Sequence, residues 1–232
     1  MERRDFLKAC AAGAAAIGGT PALAADARPQ FYQRALLVDG KGDPLRAKVI
    51  PANRNLIFHY PYASTPCFLL NLGKPAKASA QLRTVDNHPY EWQGGVGERR
   101  SVVAYSAICA HKLTYPTRDI SFISFRAETS ARNRHGNVIH CCSEHSQYDP
   151  AEGAKVVAGP APQPLAAILL EHDLKSDEIH AVGTLGGELF NEFFAKYEFR
   201  LALDGEAAPR RPVQGRATVV ELENYCKQQV KC

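Results

Sequence analysis

Lysine and arginine never cluster in this chain. Arg99-Arg100 and Arg210-Arg211 stand as isolated pairs among 28 basic and 24 acidic residues, and a net charge of +4 spread so thinly gives no nucleic-acid face. No segment repeats at a fixed period, which excludes solenoids and propellers. No Ser-His-Asp grouping, no paired-carboxylate motif and no facial triad for a mononuclear iron can be assembled, so the chain reads as no catalyst by itself. The glycine run Gly94-Gly95-Val96-Gly97 lacks a preceding strand, a following helix and the Lys-Ser/Thr pair of a phosphate loop. It reads as a tight turn before the β-rich run 101–108.

What is present begins at the N-terminus. Arg3-Arg4-Asp5-Phe6-Leu7-Lys8 is a twin-arginine signature, followed by an Ala/Gly-rich run over 9–25. Ala22-Leu23-Ala24 fits a small-residue cleavage site. Gly13, Gly18, Gly19 and Pro21 argue against an ordinary amphipathic helix, and the run is weakly apolar and short for a membrane span. Residues 1–25 are therefore expected to be a cleaved signal for export to the periplasm. Membrane association is expected only if this segment is retained as an anchor. The twin-arginine route carries folded proteins, often with a metal centre already inserted.

The 232 residues suffice for one sizeable core. Short apolar segments at 31–38, 47–50, 56–60, 67–71 and 80–85, broken by Pro, Gly and Asn, predict an all-β core. The stretch 88–100, with the only tryptophan, Trp92, reads as a loop. Residues 120–125 alternate Ile/Phe with Ser, the mark of a strand with one buried face, and 138–141 reads as a returning strand. His135 falls in a turn and His140 on that strand. Segments 165–171 and 178–182 predict a final hairpin. Helices are expected over 188–196, with Leu189, Phe193 and Phe194 near one face, and over 218–227, with Val219, Leu222 and Tyr225 at spacing three. Between them 204–215 reads as a polar linker, making 206–232 a C-terminal extension.

Cys10 lies in the signal, which leaves Cys67, Cys109, Cys141, Cys142, Cys226 and Cys232. Cys109-Ala110-His111 and Cys142-Ser143-Glu144-His145 form two Cys-His pairs about thirty residues apart. A thiolate and an imidazole on one tight loop can point at one centre, and two such loops close a coordination sphere. Zinc held tetrahedrally and a two-iron cluster with two thiolates on one iron and two imidazoles on the other both satisfy this set. If Cys109 and Cys142 are ligands, Cys67, Cys141, Cys226 and Cys232 allow three complete pairings. A Cys226–Cys232 bond across a helix would need a frayed terminus.

Cys-x-His, then Cys-x-x-His, then Tyr148-Asp149 and the loop Gly159-Pro160-Ala161-Pro162, resemble the Rieske [2Fe–2S] family over residues 105–165. Cys-Ala-His-Lys followed by Pro116, the Gly-Val-Gly turn and Asp149-Pro150-Ala151-Glu152-Gly153 resemble the small subunits of arsenite oxidases. The proline loop is closer to the Rieske proteins of cytochrome bc complexes. The resemblance implies a Rieske-type antiparallel β-sandwich over 26–205, an embedded cluster-binding subdomain at about 105–165, and short C-terminal helices. It implies one [2Fe–2S] cluster with Cys109 and Cys142 on one iron and His111 and His145 on the other. It also implies supporting roles for Ser146, Tyr148, Glu144, Gly159 and Pro160 around it. Replacing two thiolates by imidazoles raises the potential above that of all-Cys clusters.

The implied function is periplasmic one-electron transfer, as the small subunit of an oxidoreductase with a catalytic subunit that could contain molybdenum. A c-type cytochrome would be the acceptor. The alternatives are a membrane-anchored, quinol-oxidising subunit of a cytochrome bc-like complex and a structural zinc module of a binding protein. The chain also departs from the family. The positions of the two extra cysteines that brace the loops in bc-type members hold Thr114 and Glu144, which implies that the brace is absent. The carboxylate of Glu144 is then expected to lower the potential. Ser146 follows His145 directly, one residue early. An ungapped alignment on Ser146-Gln147-Tyr148-Asp149 makes Cys141 the ligand and puts Glu144 in the imidazole's place. Keeping Cys-x-x-His intact favours Cys142 and His145.

Overall fold

The structure, a computed structural model, describes residues 27–130, 134–203 and 208–232. The expected signal over 1–25, with Cys10 and its cleavage site, lies outside the described residues. The early strands are β1 (Gln30–Val38), β2 (Leu56–His59), β3 (Pro66–Asn71), β4 (Ala80–Arg83), β5 (Pro89–Trp92) and β6 (Val102–Ser106). The middle of the chain forms β7 (Ile120–Ser121), β8 (Ile123–Arg126), β9 (Val138–Cys141), β10 (Ser146–Asp149) and β11 (Lys155–Ala158). After them come β12 (Ala167–His172), β13 (Ile179–Leu185), α1 (Phe190–Leu203), β14 (Gly215–Thr218), β15 (Val220–Glu221), α2 (Leu222–Tyr225) and β16 (Gln228–Gln229).

Eight strands make one large sheet in the order β14-β1-β13-β12-β6-β3-β2-β15, and β11-β10-β9-β8 form a separate four-stranded sheet. The all-β expectation holds. Period-two alternation divides the core. Phe68 and Leu70 on β3, with Val103 and Tyr105 on β6, face the small sheet. Cys67, Leu69, Val102 and Ala104 face the opposite way, onto Leu37, Ile179 and Val219. A central strand buried on both faces reads as continuous apolar sequence, as β3 does.

Polar tethers fix the small sheet on the large one. Tyr105 donates its hydroxyl to the Pro150 carbonyl at 2.7 Å. The Asn55 side chain both donates to the Phe125 carbonyl at 3.0 Å and accepts from the Phe125 N–H at 2.6 Å. The predicted helix over 188–196 is α1, whose Phe190, Phe193 and Phe194 pack on Ile108 and Tyr115. Both contacts flank the Cys109 loop.

Three expectations are corrected. Residues 47–49 are a turn of 3-10 helix and not a strand. The stretch around Trp92 includes β5, paired with β4. Residues 218–227 are not one helix: β14 runs parallel to β1, β15 pairs with β2, and only the four residues of α2 are helical. The spacing-three apolar residues Val219 and Leu222 are buried because the chain crosses from one edge of the large sheet to the other here. The C-terminal segment thus covers both sheet edges.

Candidate metal centre

Two tight loops carry the site. The first, after β6, is closed by Cys109 N–H to the Thr114 carbonyl at 2.8 Å and Leu113 N–H to the Cys109 carbonyl at 2.9 Å. Leu113 takes a left-handed φ of 61° to make the turn. Helix α1 steadies its far side, where Lys196 Nζ donates to the Lys112 carbonyl at 2.9 Å. The second loop is the β9–β10 connection. Cys141 pairs with Ser146, leaving residues 142–145 as the turn, with His145 at φ 59°.

The two loops place their first cysteines alike. Cys109 Sγ accepts the backbone N–H groups of His111 and Lys112, and Cys141 Sγ those of Ser143 and Glu144. The two sulfurs lie within hydrogen-bonding range of each other, and both residues are buried. The Tyr148 hydroxyl lies 3.2 Å from Cys109 Sγ and also accepts the Ala110 N–H at 3.2 Å. The hydrogen bond from the Cys141 thiol is the main cause that brings Cys109 down to about 6; burial opposes it, and Tyr148 and the backbone donors add to it. Cys141, donating to that sulfur, is pushed far up. The Tyr148 phenol is likewise held protonated by its burial. Aimed N–H groups and a hydroxyl stabilise negative charge on sulfur, which is what a metal-binding thiolate needs.

The remaining residues separate into those the structure gathers here and those it does not. His111 sits on the first loop with Nδ1 buried and without a hydrogen-bond partner, an imidazole nitrogen free to ligate. Ser146 Oγ is buried and unpartnered as well. Cys142 is not brought to Cys109: its sulfur is in a disulfide with Cys232. The reason is alternation along β9, which turns Cys141 into the core and Cys142, with His140, the other way. His145 follows them, its ring centroid 5.8 Å from that of His140. Glu144 is exposed and stands three residues beyond Cys141. No bond joins Thr114 and Glu144; the disulfide of the second loop, Cys142–Cys232, ties it instead to the C-terminal segment.

The proline loop closes over the second box. Gly159, at φ 85°, lies so close that a Cβ there would be 2.4 Å from the His145 carbonyl oxygen. Pro160 is exposed. Gln163, which sequence reasoning missed, holds the loop's far end from a buried position. It accepts from Val85 N–H at 2.7 Å and donates to the Gly187 carbonyl at 2.6 Å. Its only sequence signal was an amide between two prolines.

Tested against a Rieske-type cluster, the donor set fits at Cys109 and Cys141, whose sulfurs lie together, and at His111, whose Nδ1 is buried and without a partner on the same loop as Cys109. On the second loop Glu144 is exposed and reaches Cys141 through its backbone N–H. No protein-family model matches the chain. Among solved structures it is similar to the soluble domain of Rieske protein II from Sulfolobus acidocaldarius, at 24% identity. The match covers 66% of this chain and 78% of that one, with a TM-score of 0.45.

Proposed function

We propose that the protein is a one-electron carrier holding a [2Fe–2S] cluster, with Cys109 and Cys141 on one iron and His111 on the other. The observation that carries this reading is the buried Cys109–Cys141 pair, each sulfur facing two backbone N–H groups, with the Tyr148 hydroxyl on Cys109. When bound, the cluster supplies reversible electron transfer without bond making. The chain's own residues set its environment. Tyr148 and the four N–H groups stabilise negative charge at the sulfurs, favouring the reduced state. The packing of Ile108, Tyr115 and the α1 phenylalanines keeps water from the first loop's back. Gly159 seals the second loop.

From the resemblance of its two Cys-His boxes we place it as the small subunit of a larger oxidoreductase. Its catalytic partner could contain molybdenum, and electrons pass to a c-type cytochrome in the periplasm after twin-arginine export. Among the described residues no helix is long and apolar enough to cross a membrane.

The test is iron and acid-labile sulfide content with an EPR spectrum after reduction, on wild type and four variants. Cys109→Ser and Cys141→Ser should abolish the cluster, whereas Cys142→Ser and His145→Gln should retain it. Stoichiometric zinc without sulfide in wild type would overturn the cluster itself. Loss of the cluster in Cys142→Ser with retention in Cys141→Ser would restore the Cys142 ligand.

A further inference from the structure

Two of the four residues that chain spacing assigns to the cluster, Cys142 and His145, meet elsewhere. His140 Nδ1 and Nε2 each lie 3.5 Å from Cys232 Sγ. Donor atoms of His140, His145 and Cys232 all fall within 4.8 Å of one another, and Cys142 is bonded to the third of these residues. His140 is buried, His145 is on the exposed turn, and Cys232 is half-buried. Three segments of chain therefore bring two sulfurs and two imidazoles to one spot, on the side of β9 turned away from Cys141.

The dimensions suit a soft divalent ion. Zinc–sulfur bonds of about 2.3 Å and zinc–nitrogen bonds of about 2.0–2.1 Å at tetrahedral angles put sulfur and nitrogen about 3.6 Å apart. The His140–Cys232 separation already has this value. The two sulfurs must part to about 3.8 Å by the same geometry, and the bond between them prevents it. A disulfide sulfur is also a poor ligand, since the thiolate is the metal-binding form. The bond thus acts as the gate.

We propose that Cys142, Cys232, His140 and His145 form a second metal site, of the zinc class, that opens only when the Cys142–Cys232 disulfide is reduced. The site shares no donor with Cys109, Cys141 and His111, and it rests on that assignment, since a cluster held by Cys142 and His145 would take two of its four donors. A phosphine reductant opens it by taking one oxygen from water: disulfide, phosphine and water give two thiols and the phosphine oxide. Binding of the ion then releases the two thiol protons and leaves a neutral Cys2His2 centre.

The experiment uses the full-length protein as purified, before and after reduction with a water-soluble phosphine, titrated with zinc against a chromophoric chelator. Thiol alkylation is mapped by fragment sequencing with and without zinc. Reduction should create one additional zinc equivalent, and zinc should slow alkylation of Cys142 and Cys232 but not of Cys109 or Cys141. Cys232→Ser should weaken zinc binding by more than the roughly 10–100-fold that loss of an outer partner costs. Cobalt in place of zinc should give thiolate-to-metal charge transfer that weakens in the variant, which keeps only the Cys142 thiolate. Equal zinc binding by the oxidised protein, or protection confined to Cys109 and Cys141, overturns the proposal. So does no change in the alkylation of Cys142 and Cys232. The wild-type mapping decides even if the variant fails to fold.

Discussion

Cys109 sits where three kinds of donor meet: a thiol, a phenol and two backbone N–H groups. The thiol of Cys141 has the largest effect, and Tyr148 is the part that can be removed without touching a ligand. Tyr148→Phe deletes one hydroxyl from a fully buried ring and leaves the ring packed. A hydrogen bond to a charged group is worth about 1.5–3 kcal/mol. The Cys109 thiolate should therefore titrate roughly 1–2 pH units higher in this variant. The measurement is the pH dependence of the Cys109 alkylation rate in cluster-free protein. An unchanged profile would mean that Tyr148 is only a packed aromatic. In cluster-loaded protein the same deletion should lower the reduction potential, because a donor to sulfur favours the added electron.

At the scale of elements, the proline loop and the β9–β10 turn are one unit. Gly159→Ala asks for a left-handed alanine and drives a methyl group to 2.4 Å from the His145 carbonyl oxygen and 2.6 Å from Ser146 Cα. A destabilisation of about 2–4 kcal/mol follows from the strained backbone and the overpacking together. Urea unfolding would measure it, and iron content should fall in parallel because the displaced residues adjoin Cys141. The same elements mark how far sequence could reach. Strands β3 and β6 were legible because their apolar runs are long and two-faced. β10 and β11 were not, since Ser146-Gln147-Tyr148-Asp149 is short and polar in the chain although Ser146, Gln147 and Tyr148 are buried. The two loops were legible and their register was not. Spacing located both loops, but it cannot say which of two adjacent cysteines faces inward. Register decides that, and the clue was present: Ile139 and Cys141 share one face of β9, His140 and Cys142 the other. Residues 218–227 misled for a related reason, because their period-three burial arises from a crossing between sheet edges.

For the whole molecule, stability and pH are linked through His59 at the end of β2. Burial, with a smaller contribution from Arg118, lowers its pKa from 6.5 to about 4. The ring lies 3.3 Å from the Tyr225 hydroxyl through Nε2. Between those two values the unfolded chain binds a proton that the folded one does not. The stabilisation is therefore complete above pH 6.5 and is lost as the pH falls through about 4. Its size is about 3 kcal/mol. Urea midpoints in wild type should drop across this window, and His59→Gln should flatten the drop; parallel curves would remove His59 as the cause. The outer strands β14 and β15 have an equally global role. Ending the chain at residue 214 uncovers the paired edges of β1 and β2, and open edges pair with other chains. Size-exclusion chromatography should then show oligomers and aggregate where the full chain runs as a single species.

That closure by β14 and β15 has a consequence for how the protein is made. Strand β1 leaves the ribosome early, yet its parallel partner β14 lies beyond residue 214, and the partner of β2 follows immediately after. Pairings this distant in sequence make folding slow and leave apolar intermediates exposed. Through most of synthesis the growing chain holds two unpaired edges that only residues 215–221 can complete. A chain arrested before residue 215 is expected to aggregate more readily than the full chain, because both edges are then open.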